Sequence, residues 1–269
     1  MTIKFLGTSS GWPIPRIGCD CPQCKSENPR DKRLRSCVLI NNKVLIDASP
    51  DIYQQFIKFG INNIEAILLT HAHPDHILGF HDLSKLPGAK KIPLYCSLES
   101  KKILNRNFIM AKFEYRIFKS QDKFKIGNLE VESFPVEHSK MAPTVGLRIS
   151  SKFKVQSSKL KMQSPKSKIK SPMFVYIPDM ETICKKSERY LKNADVLVLD
   201  GSTKHKIAFA HMSIPEEIKM VWRLKAKKIY FTHIGHKTGT HKELTKFIQG
   251  LGGKRFEVGY DGMEIEFKV

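Results

Sequence analysis

The stretch THAHPDHILG, residues 70–79, gathers three histidines and one aspartate within six positions, directly after an apolar run. Imidazole and carboxylate groups are the side chains that bind divalent metals such as zinc. His71 and His73 project to the same side of an extended segment, so they can share one ion. Asp75 and His76 follow after a turn and can serve a second ion. Since zinc takes four or five ligands, each ion needs further donors from elsewhere in the chain.

The chain offers such donors where its predicted strands end. Apolar or alternating runs that predict strands end, again and again, in a histidine or an aspartate: His71, His138, Asp179, Asp200 and His233. Side chains at strand ends lie on a rigid frame and can converge at one edge of a sheet. We therefore expect His138, Asp179 and His233 to complete the two sites, with Asp179 bridging the ions.

Local patterns predict the elements that frame these residues. SCVLINNKVLIDAS predicts a β-hairpin that turns at Asn41-Asn42, and FEVGYDGMEIEF predicts a closing hairpin that turns at its Asp-Gly pair. SPDIYQQFIKFG predicts a helix capped by Ser49 and closed by Gly60. IEAILLT predicts a buried strand that ends immediately before His71.

The order His-Ala-His-Pro-Asp-His at residues 71–76 is similar to the HxHxDH signature of the metallo-β-lactamase superfamily. The resemblance spans nearly the whole chain and implies one domain, residues 1–269, with the fold of an αββα sandwich: two mixed sheets flanked by helices. It implies one metal held by His71, His73 and His138, and a second held by Asp75, His76 and His233, with Asp179 as the bridge.

Further segments resemble one branch of this superfamily. FLGTSSG resembles the opening of the tRNase Z-like and cyclic phosphodiesterase branches, and CDCPQC, THIGH and FEVGYDGMEI resemble the phosphoribosyl cyclic phosphodiesterases. That branch implies a structural zinc bound by three cysteines and a histidine, at Cys19, Cys21, Cys24 and His236. Three cysteines and a histidine are also a recognised structural zinc set on chemical grounds alone.

The expected activity is that of a metal-dependent hydrolase, a dinuclear phosphodiesterase for a small cyclic or nucleotide-like phosphodiester. Two ions, Zn²⁺ or Mn²⁺, about 3.5–4 Å apart would share a hydroxide that attacks phosphorus. His211, just before a predicted helix, is the candidate proton donor to the leaving group, and Asp75 is counted with it as catalytic. Asp47 and Asp200 are candidate acceptors behind metal-binding histidines. Three other histidines are expected at the surface: His81, His205 and His241.

Composition leaves other functions open. The chain has 269 residues and a net charge of +20, which favours anionic partners. A lysine- and serine-rich insertion at about 150–171 is predicted to form a β-hairpin or an irregular arm that contacts nucleic acid, mediates a homodimer, or is simply solvated. The alternatives to the small phosphodiester are therefore an RNA-processing nuclease of tRNase Z type and a non-hydrolytic protein that binds a metabolite.

The chain carries no signal for a membrane. The N-terminal MTIKFLGTSSGWP lacks the apolar core of a signal peptide, and no apolar run reaches the roughly 18 residues of a membrane span. We therefore expect a cytoplasmic protein without a membrane partner.

Overall fold

The structure is a computed structural model that describes residues 1–109, 113–139, 142–151, 171–206 and 211–267. The described strands form two seven-stranded sheets that pack face to face, with helices on both outer faces. Residues 152–170 lie outside the described ranges, so the predictions for the lysine-rich insertion and for a single domain stay predictions.

The first sheet is built mainly from the N-terminal half of the chain. Its strand order is β14-β1-β2-β3-β4-β5-β6, and the pairs from β3 to β6 are parallel. The strands are β1 (Thr2–Gly7), β2 (Cys37–Ile40), β3 (Val44–Ile46), β4 (Ala66–Leu68), β5 (Pro93–Cys96), β6 (Glu114–Ile117) and β14 (Glu264–Glu266).

The second sheet is built from the C-terminal half. Its order is β13-β12-β11-β10-β9-β8-β7, and the pairs from β10 to β13 are parallel. The strands are β7 (Lys123–Ile126), β8 (Leu129–Val136), β9 (Thr144–Ser151), β10 (Met173–Tyr176), β11 (Val196–Asp200), β12 (Lys228–Thr232) and β13 (Phe256–Val258).

Alternating side chains of the strands build three apolar layers. In β11, Val196 and Val198 pack between the sheets, whereas Leu197 and Leu199 pack against the outer helices, as the period of two along a strand requires. The αββα sandwich is therefore confirmed. The helices are α1 (Pro22–Lys25), α2 (Ile52–Phe59), α3 (Pro74–Ile77), α4 (Phe80–Leu83), α5 (Leu98–Asn107), α6 (Glu188–Leu191), α7 (Ile214–Val221) and α8 (His241–Gly252).

The first predicted hairpin is confirmed, and the following helix begins later than predicted. Asn41 and Asn42 connect β2 to β3 with φ angles of 52° and 55°, which is the left-handed turn that asparagine tolerates. Helix α2 ends at Phe59 with Gly60 as its C-cap, as predicted, but it begins at Ile52 with Asp51 rather than Ser49 at its N-cap position. The amide of Ile52 donates to the carbonyl of Ser49 at 3.0 Å, so residues 49–52 form a turn before the helix.

The prediction of a closing hairpin at residues 256–267 is wrong. Strand β13 pairs with β12 in the second sheet, whereas β14 pairs with β1 in the first. The connecting segment crosses between the sheets because Asp261 accepts hydrogen bonds from the Thr8 hydroxyl at 2.7 Å and from the Leu34 amide at 2.6 Å.

Parallel pairing brings the carboxyl ends of the central strands to one edge of the sandwich. Strands β3 and β4 contribute from the first sheet, and β10, β11 and β12 from the second. The residues at or just beyond these ends are Asp47, His71, Asp179, Asp200 and His233. No helix within the described ranges is long and apolar enough to cross a membrane.

Candidate metal centre

Two groups of three side chains meet at this edge. His71 follows β4, His73 stands at the N-cap position of α3, and His138 follows β8. Their ligand nitrogens all lie within 4.8 Å of one another, and Nδ1 of His73 is 3.1 Å from Nε2 of His138. These are the three histidines that the resemblance to the metallo-β-lactamase superfamily assigns to one ion.

The second group lies beside the first. It combines Asp75 and His76 of α3 with His233, which follows β12. Oδ2 of Asp75 is 3.5 Å from Nε2 of His76 and 3.2 Å from Nε2 of His233. A short helix and a strand of the opposite sheet thus bring one carboxylate and two imidazoles together.

Asp179 lies between the two groups. Its carboxylate oxygens are 3.7 Å from Nε2 of His71, 2.8 Å from Nε2 of His76 and 3.1 Å from Nδ1 of His233. The carboxylate therefore contacts members of both groups, which is the position of a bridging ligand. We call the seven residues His71, His73, Asp75, His76, His138, Asp179 and His233 the histidine–aspartate cluster.

Four buried atoms of this cluster face one another but make no well-oriented hydrogen bond with the described part of the chain. They are Nε2 of His71 and His76, Oδ2 of Asp179 and Nδ1 of His233. A buried polar atom without a partner costs free energy, about 1–3 kcal/mol each. Four such atoms aimed at one another fit divalent cations, which would satisfy nitrogen and carboxylate donors at once.

Electrostatics favours the ligand forms of His71 and Asp179, whereas the neighbouring carboxylates outweigh burial and raise the pKa of His76 and His233, which must lose a proton to bind a metal. Burial, followed by the neighbouring His76, holds the pKa of His71 well below its usual range, which keeps the imidazole neutral. Burial opposes ionisation of Asp179, but His233 and His76 outweigh it and hold the pKa of its carboxyl well below the usual range. Neutral imidazole and ionised carboxylate are the forms that coordinate a metal.

Asp47 supports the cluster from behind. The sequence predicts a carboxylate behind a metal-binding histidine, and Oδ2 of Asp47 lies 2.8 Å from Nδ1 of His76. Thr70, which the sequence analysis missed, donates its amide and its hydroxyl to Asp47, and its hydroxyl oxygen is 3.0 Å from Nδ1 of His71. The available signal was its position, the first polar residue after the apolar strand. Asp47 also has a φ of 62°, an uncommon left-handed conformation that aims its side chain into the site.

His211 and Asp200 form a pair at the rim of the cluster. Nδ1 of His211 is 2.6 Å from Oδ2 of Asp200, and the imidazole lines the cleft above the cluster. Burial lowers the pKa of His211, but the Asp200 carboxylate outweighs burial and raises it. Asp200 therefore holds Nδ1 of the predicted proton donor and favours its protonated ring.

The surface prediction for three histidines is partly wrong. His81 and His205 are exposed, but His241 is buried at the start of α8. Nδ1 of His241 accepts a hydrogen bond from the buried guanidinium of Arg33 at 3.1 Å. A neutral histidine satisfies one donor of a buried cation, which explains its burial.

A second cluster consists of thiols. The sulfur atoms of Cys19, Cys21 and Cys24, which we call the cysteine cluster, lie within 4.8 Å of one another. Burial raises the pKa of the Cys24 thiol to about 11. The predicted fourth ligand is near but does not join this grouping. Nδ1 of His236 is 3.5 Å from a guanidinium nitrogen of Arg16, and the backbone carbonyl of His236 is 3.6 Å from Sγ of Cys21.

The histidine–aspartate cluster opens into a cleft of about 1060 Å³. Arg16, Lys204 and Lys237 line this cleft, and Glu181 is a carboxylate on its wall outside the cluster. The sequence analysis did not single out these cations, because a net charge of +20 does not indicate which lysines and arginines share a surface. Their placement makes the cleft suitable for an anionic ligand.

Comparisons with known proteins agree with this geometry. Residues 42–234 match the family described as beta-lactamase superfamily domain. A solved diphosphatase of the PhnP family is 29% identical, with a TM-score of 0.82 over 100% of this chain and 98% of that chain. The structure of Zn²⁺-bound PqqB from Methylobacterium extorquens is 19% identical, with a TM-score of 0.79 over 99% and 100% of the two chains, and shows the shared fold.

One curated relative is much longer than this chain. An octanoyltransferase of Porphyromonas gingivalis is 27% identical over 280 residues, which cover 98% of this chain and 51% of that protein. The chain thus spans about half the length of that relative. The three relatives are named differently, as a diphosphatase, PqqB and an octanoyltransferase, whereas the two solved structures share the fold of this chain along its length.

Proposed function

This chain belongs to the family described as beta-lactamase superfamily domain, whose metallo-β-lactamase fold is that of metal-dependent hydrolases. We therefore propose that it is a dinuclear-metal phosphodiesterase. Its substrate would be a small cyclic or nucleotide-like phosphodiester. The observation that carries the proposal is Asp179, whose carboxylate contacts both three-residue groups beneath a cleft lined with cations.

The residues of the histidine–aspartate cluster would form two metal sites. His71, His73 and His138 would hold one ion, Asp75, His76 and His233 the other, and Asp179 both. Two divalent ions in these sites would supply Lewis acidity and a water of lowered pKa, with Zn²⁺ and Mn²⁺ as the candidates. Asp47 fixes the ring of His76 through Nδ1 and so directs Nε2 into the site.

Other residues would neutralise the charge of the phosphate and protonate the leaving oxygen. Arg16, Lys204 and Lys237 attract the phosphate and offset the charge that grows on its oxygens. His211 would donate the proton of Nε2 to the leaving oxygen, because Asp200 holds Nδ1 and favours the protonated ring.

The cysteine cluster would hold a separate structural Zn²⁺, since thiolates select zinc. His236 would be the fourth ligand after its ring leaves the Arg16 guanidinium. His236 follows His233 by three residues, so a zinc at this position would brace the loop that carries a ligand of the histidine–aspartate cluster.

The test combines metal content with a substrate panel. Purified protein is analysed for metals and assayed on bis-p-nitrophenyl phosphate, 2′,3′-cyclic nucleotides and precursor tRNA. We expect about three metals per chain, hydrolysis of the small diesters, and loss of that hydrolysis in His73→Ala. Unchanged activity in His73→Ala would place the chemistry elsewhere, and a metal-loaded protein inert on the whole panel would favour a metabolite-binding role.

A second candidate is an RNA-processing nuclease, which the net charge of +20 favours, because basic surfaces attract phosphate backbones. Cleavage of precursor tRNA at catalytic rates, with cyclic nucleotides inert, would establish the nuclease and overturn the small-molecule proposal. Raising the salt concentration sharpens the distinction, because binding of a long polyanion weakens far more steeply with salt than binding of one phosphodiester.

A further inference from the structure

A second cavity adjoins the cleft. This side groove, of about 700 Å³, lies between the start of α5, the end of β6, and the facing ends of β8 and β9. Its apolar lining includes Leu98, Ile117, Phe118, Val136 and Val145. Leu98 and Ile117 are 47% and 44% exposed, so a ligand in the groove would cover apolar surface that now faces water.

The side groove and the cleft share a wall. His138, Ser139 and Glu181 line both cavities. Backbone hydrogen bonds between Glu137 and both Glu181 and Thr182, at 2.8–3.1 Å, hold this wall in place. Because His138 belongs to the histidine–aspartate cluster, one ligand can extend from the scissile group at the cluster into the side groove.

The two cavities differ in charge. The cleft carries the cations Arg16, Lys204 and Lys237. Among its described lining residues, the side groove carries the carboxylates Glu99 and Glu137, shares Glu181 with the cleft, and has one cation, Lys119. A second phosphate or a nucleic-acid backbone in the groove would face these carboxylates, so the groove suits an uncharged apolar group.

We infer that the side groove binds an uncharged apolar arm of the substrate, joined to the phosphodiester that occupies the histidine–aspartate cluster. The inference rests on the proposed function and narrows its substrate class to phosphodiesters that are anionic at one end and apolar at the other. Leu98 and Ile117 would be specificity residues, since they offer apolar area to the arm without reaching the reacting atoms.

The test is a chain-length series on the metal-loaded protein. Methyl, butyl and octyl p-nitrophenyl phosphate share one leaving group and differ only in the arm. A fully buried methylene contributes about fourfold to affinity, and for the half-open groove we expect kcat/KM to rise by at least about twofold per methylene. A flat series in the wild-type protein would overturn the inference.

Two substitutions locate the effect. Leu98→Asp and Ile117→Asp place a charge in the groove, at exposed positions where folding tolerates it, and should reduce the ratio of octyl to methyl kcat/KM by about tenfold or more. Leu251→Asp is the matched control, because Leu251 is also 47% exposed and lines neither cavity. An unchanged ratio in both groove variants would overturn the inference. The inference would also be overturned if light scattering showed that the groove variants lose a dimer while their chain-length series stays unchanged. The groove would then be an interface between copies of the chain.

A binding measurement separates this inference from the proposed function. Calorimetry compares octylphosphonate with methylphosphonate on the same protein, independently of turnover. If none of the esters is hydrolysed, the phosphodiesterase proposal fails. Tighter binding of octylphosphonate that Leu98→Asp weakens would still support the groove, whereas equal affinity for both phosphonates would overturn it.

Discussion

The histidine–aspartate cluster and the cysteine cluster are both ligand sets for metals, but the fold builds them differently. The first draws its residues from strand ends in both sheets and from a helix, and His71, His76 and Asp179 are almost completely buried. The second comes from one short segment, residues 19–24, in which Cys19 and Cys21 precede α1 and are half-exposed, whereas Cys24 lies in α1 and is buried. The first is thus held by the packed sheets, whereas the second is held by one local segment and by single contacts of Cys24 with Arg16 and of Cys21 with His236.

This difference shows which contacts hold the ligand residues of each cluster in place. Removing a ligand from the histidine–aspartate cluster leaves a rigid, charged cavity, because Asp47, Thr70 and the strands still hold the other residues. Removing a thiol from the cysteine cluster releases a loop. We therefore expect the first change to act on chemistry and the second to act mainly on local stability.

The largest effect is expected for Asp179→Ala. Loss of the carboxylate that contacts both three-residue groups should remove both catalytic ions, leave the cysteine-bound ion, and lower phosphodiester hydrolysis by about 10³-fold or more. Elemental analysis measures the metal content, and kcat/KM on bis-p-nitrophenyl phosphate measures the loss of hydrolysis. Asp20→Ala is the control, since Asp20 lies within the cysteine loop and its side chain is 86% exposed. Retention of all the metals in Asp179→Ala would show that the aspartate is not a bridging ligand.

A smaller, selective effect is expected for His211→Ala. Loss of a proton donor should lower kcat about 10²–10⁴-fold for alkyl leaving groups, which need a proton, and far less for p-nitrophenolate. Metal content should stay the same, because His211 is held by Asp200 at the rim of the cluster. Comparing 2′,3′-cyclic nucleotides with bis-p-nitrophenyl phosphate measures the contrast. His205→Ala is the control in the same cleft. An equal loss on both substrates would assign His211 to binding or structure.

The more rigid cluster is also the one that sequence reasoning predicts well. Its residues lie in one short motif or directly after strands, and strand ends are readable from apolar periodicity. The structure therefore brings together all seven residues that the sequence predicts to be metal ligands. The family inferred from the HxHxDH order is confirmed as well.

The parts that sequence reasoning missed depend on contacts between distant residues. An Asp-Gly turn has the same local signal whether it joins two strands of one sheet or crosses between sheets, and here the contacts of Asp261 with Thr8 and Leu34 decide. His241 was expected at the surface because nothing near it in sequence reveals Arg33, 208 positions away. The orientation of His236 towards Arg16 likewise follows from packing, which spacing does not encode.

A modest effect on activity is expected for Cys21→Ser. One metal of about three should be lost, Tm should fall by about 2–4 °C per kcal/mol of lost stability, and kcat/KM should change by less than about tenfold. The reason is that the ligands of the histidine–aspartate cluster are held by the sheets rather than by the cysteine loop. Cys184→Ser is the control, since Cys184 is exposed and lies outside the cluster. Loss of the catalytic ions as well would show that the two clusters are coupled through residues 233–236.

The smallest effect is expected from His241, which accepts a hydrogen bond from the buried Arg33 guanidinium at 3.1 Å. Burial, followed by the neighbouring Arg33 and Arg30, lowers the pKa of His241 to about 4. The unfolded chain binds a proton at this histidine below about pH 6.5, whereas the folded protein does not until about pH 4, so acidification across this window destabilises the fold. With allowance for solvent screening the contribution is about 1 kcal/mol, or about 2–4 °C in Tm.

His241→Gln isolates this contribution, because glutamine can still accept a hydrogen bond from Arg33 but does not titrate. Thermal denaturation from pH 7 to pH 4 should show a steeper fall of Tm in the wild-type protein than in the variant. Burial raises the pKa of Asp261 to about 6, which gives the opposite slope over part of this window. That slope is present in both proteins and cancels in their difference. Parallel curves would mean that the fold tolerates a charged imidazole beside Arg33.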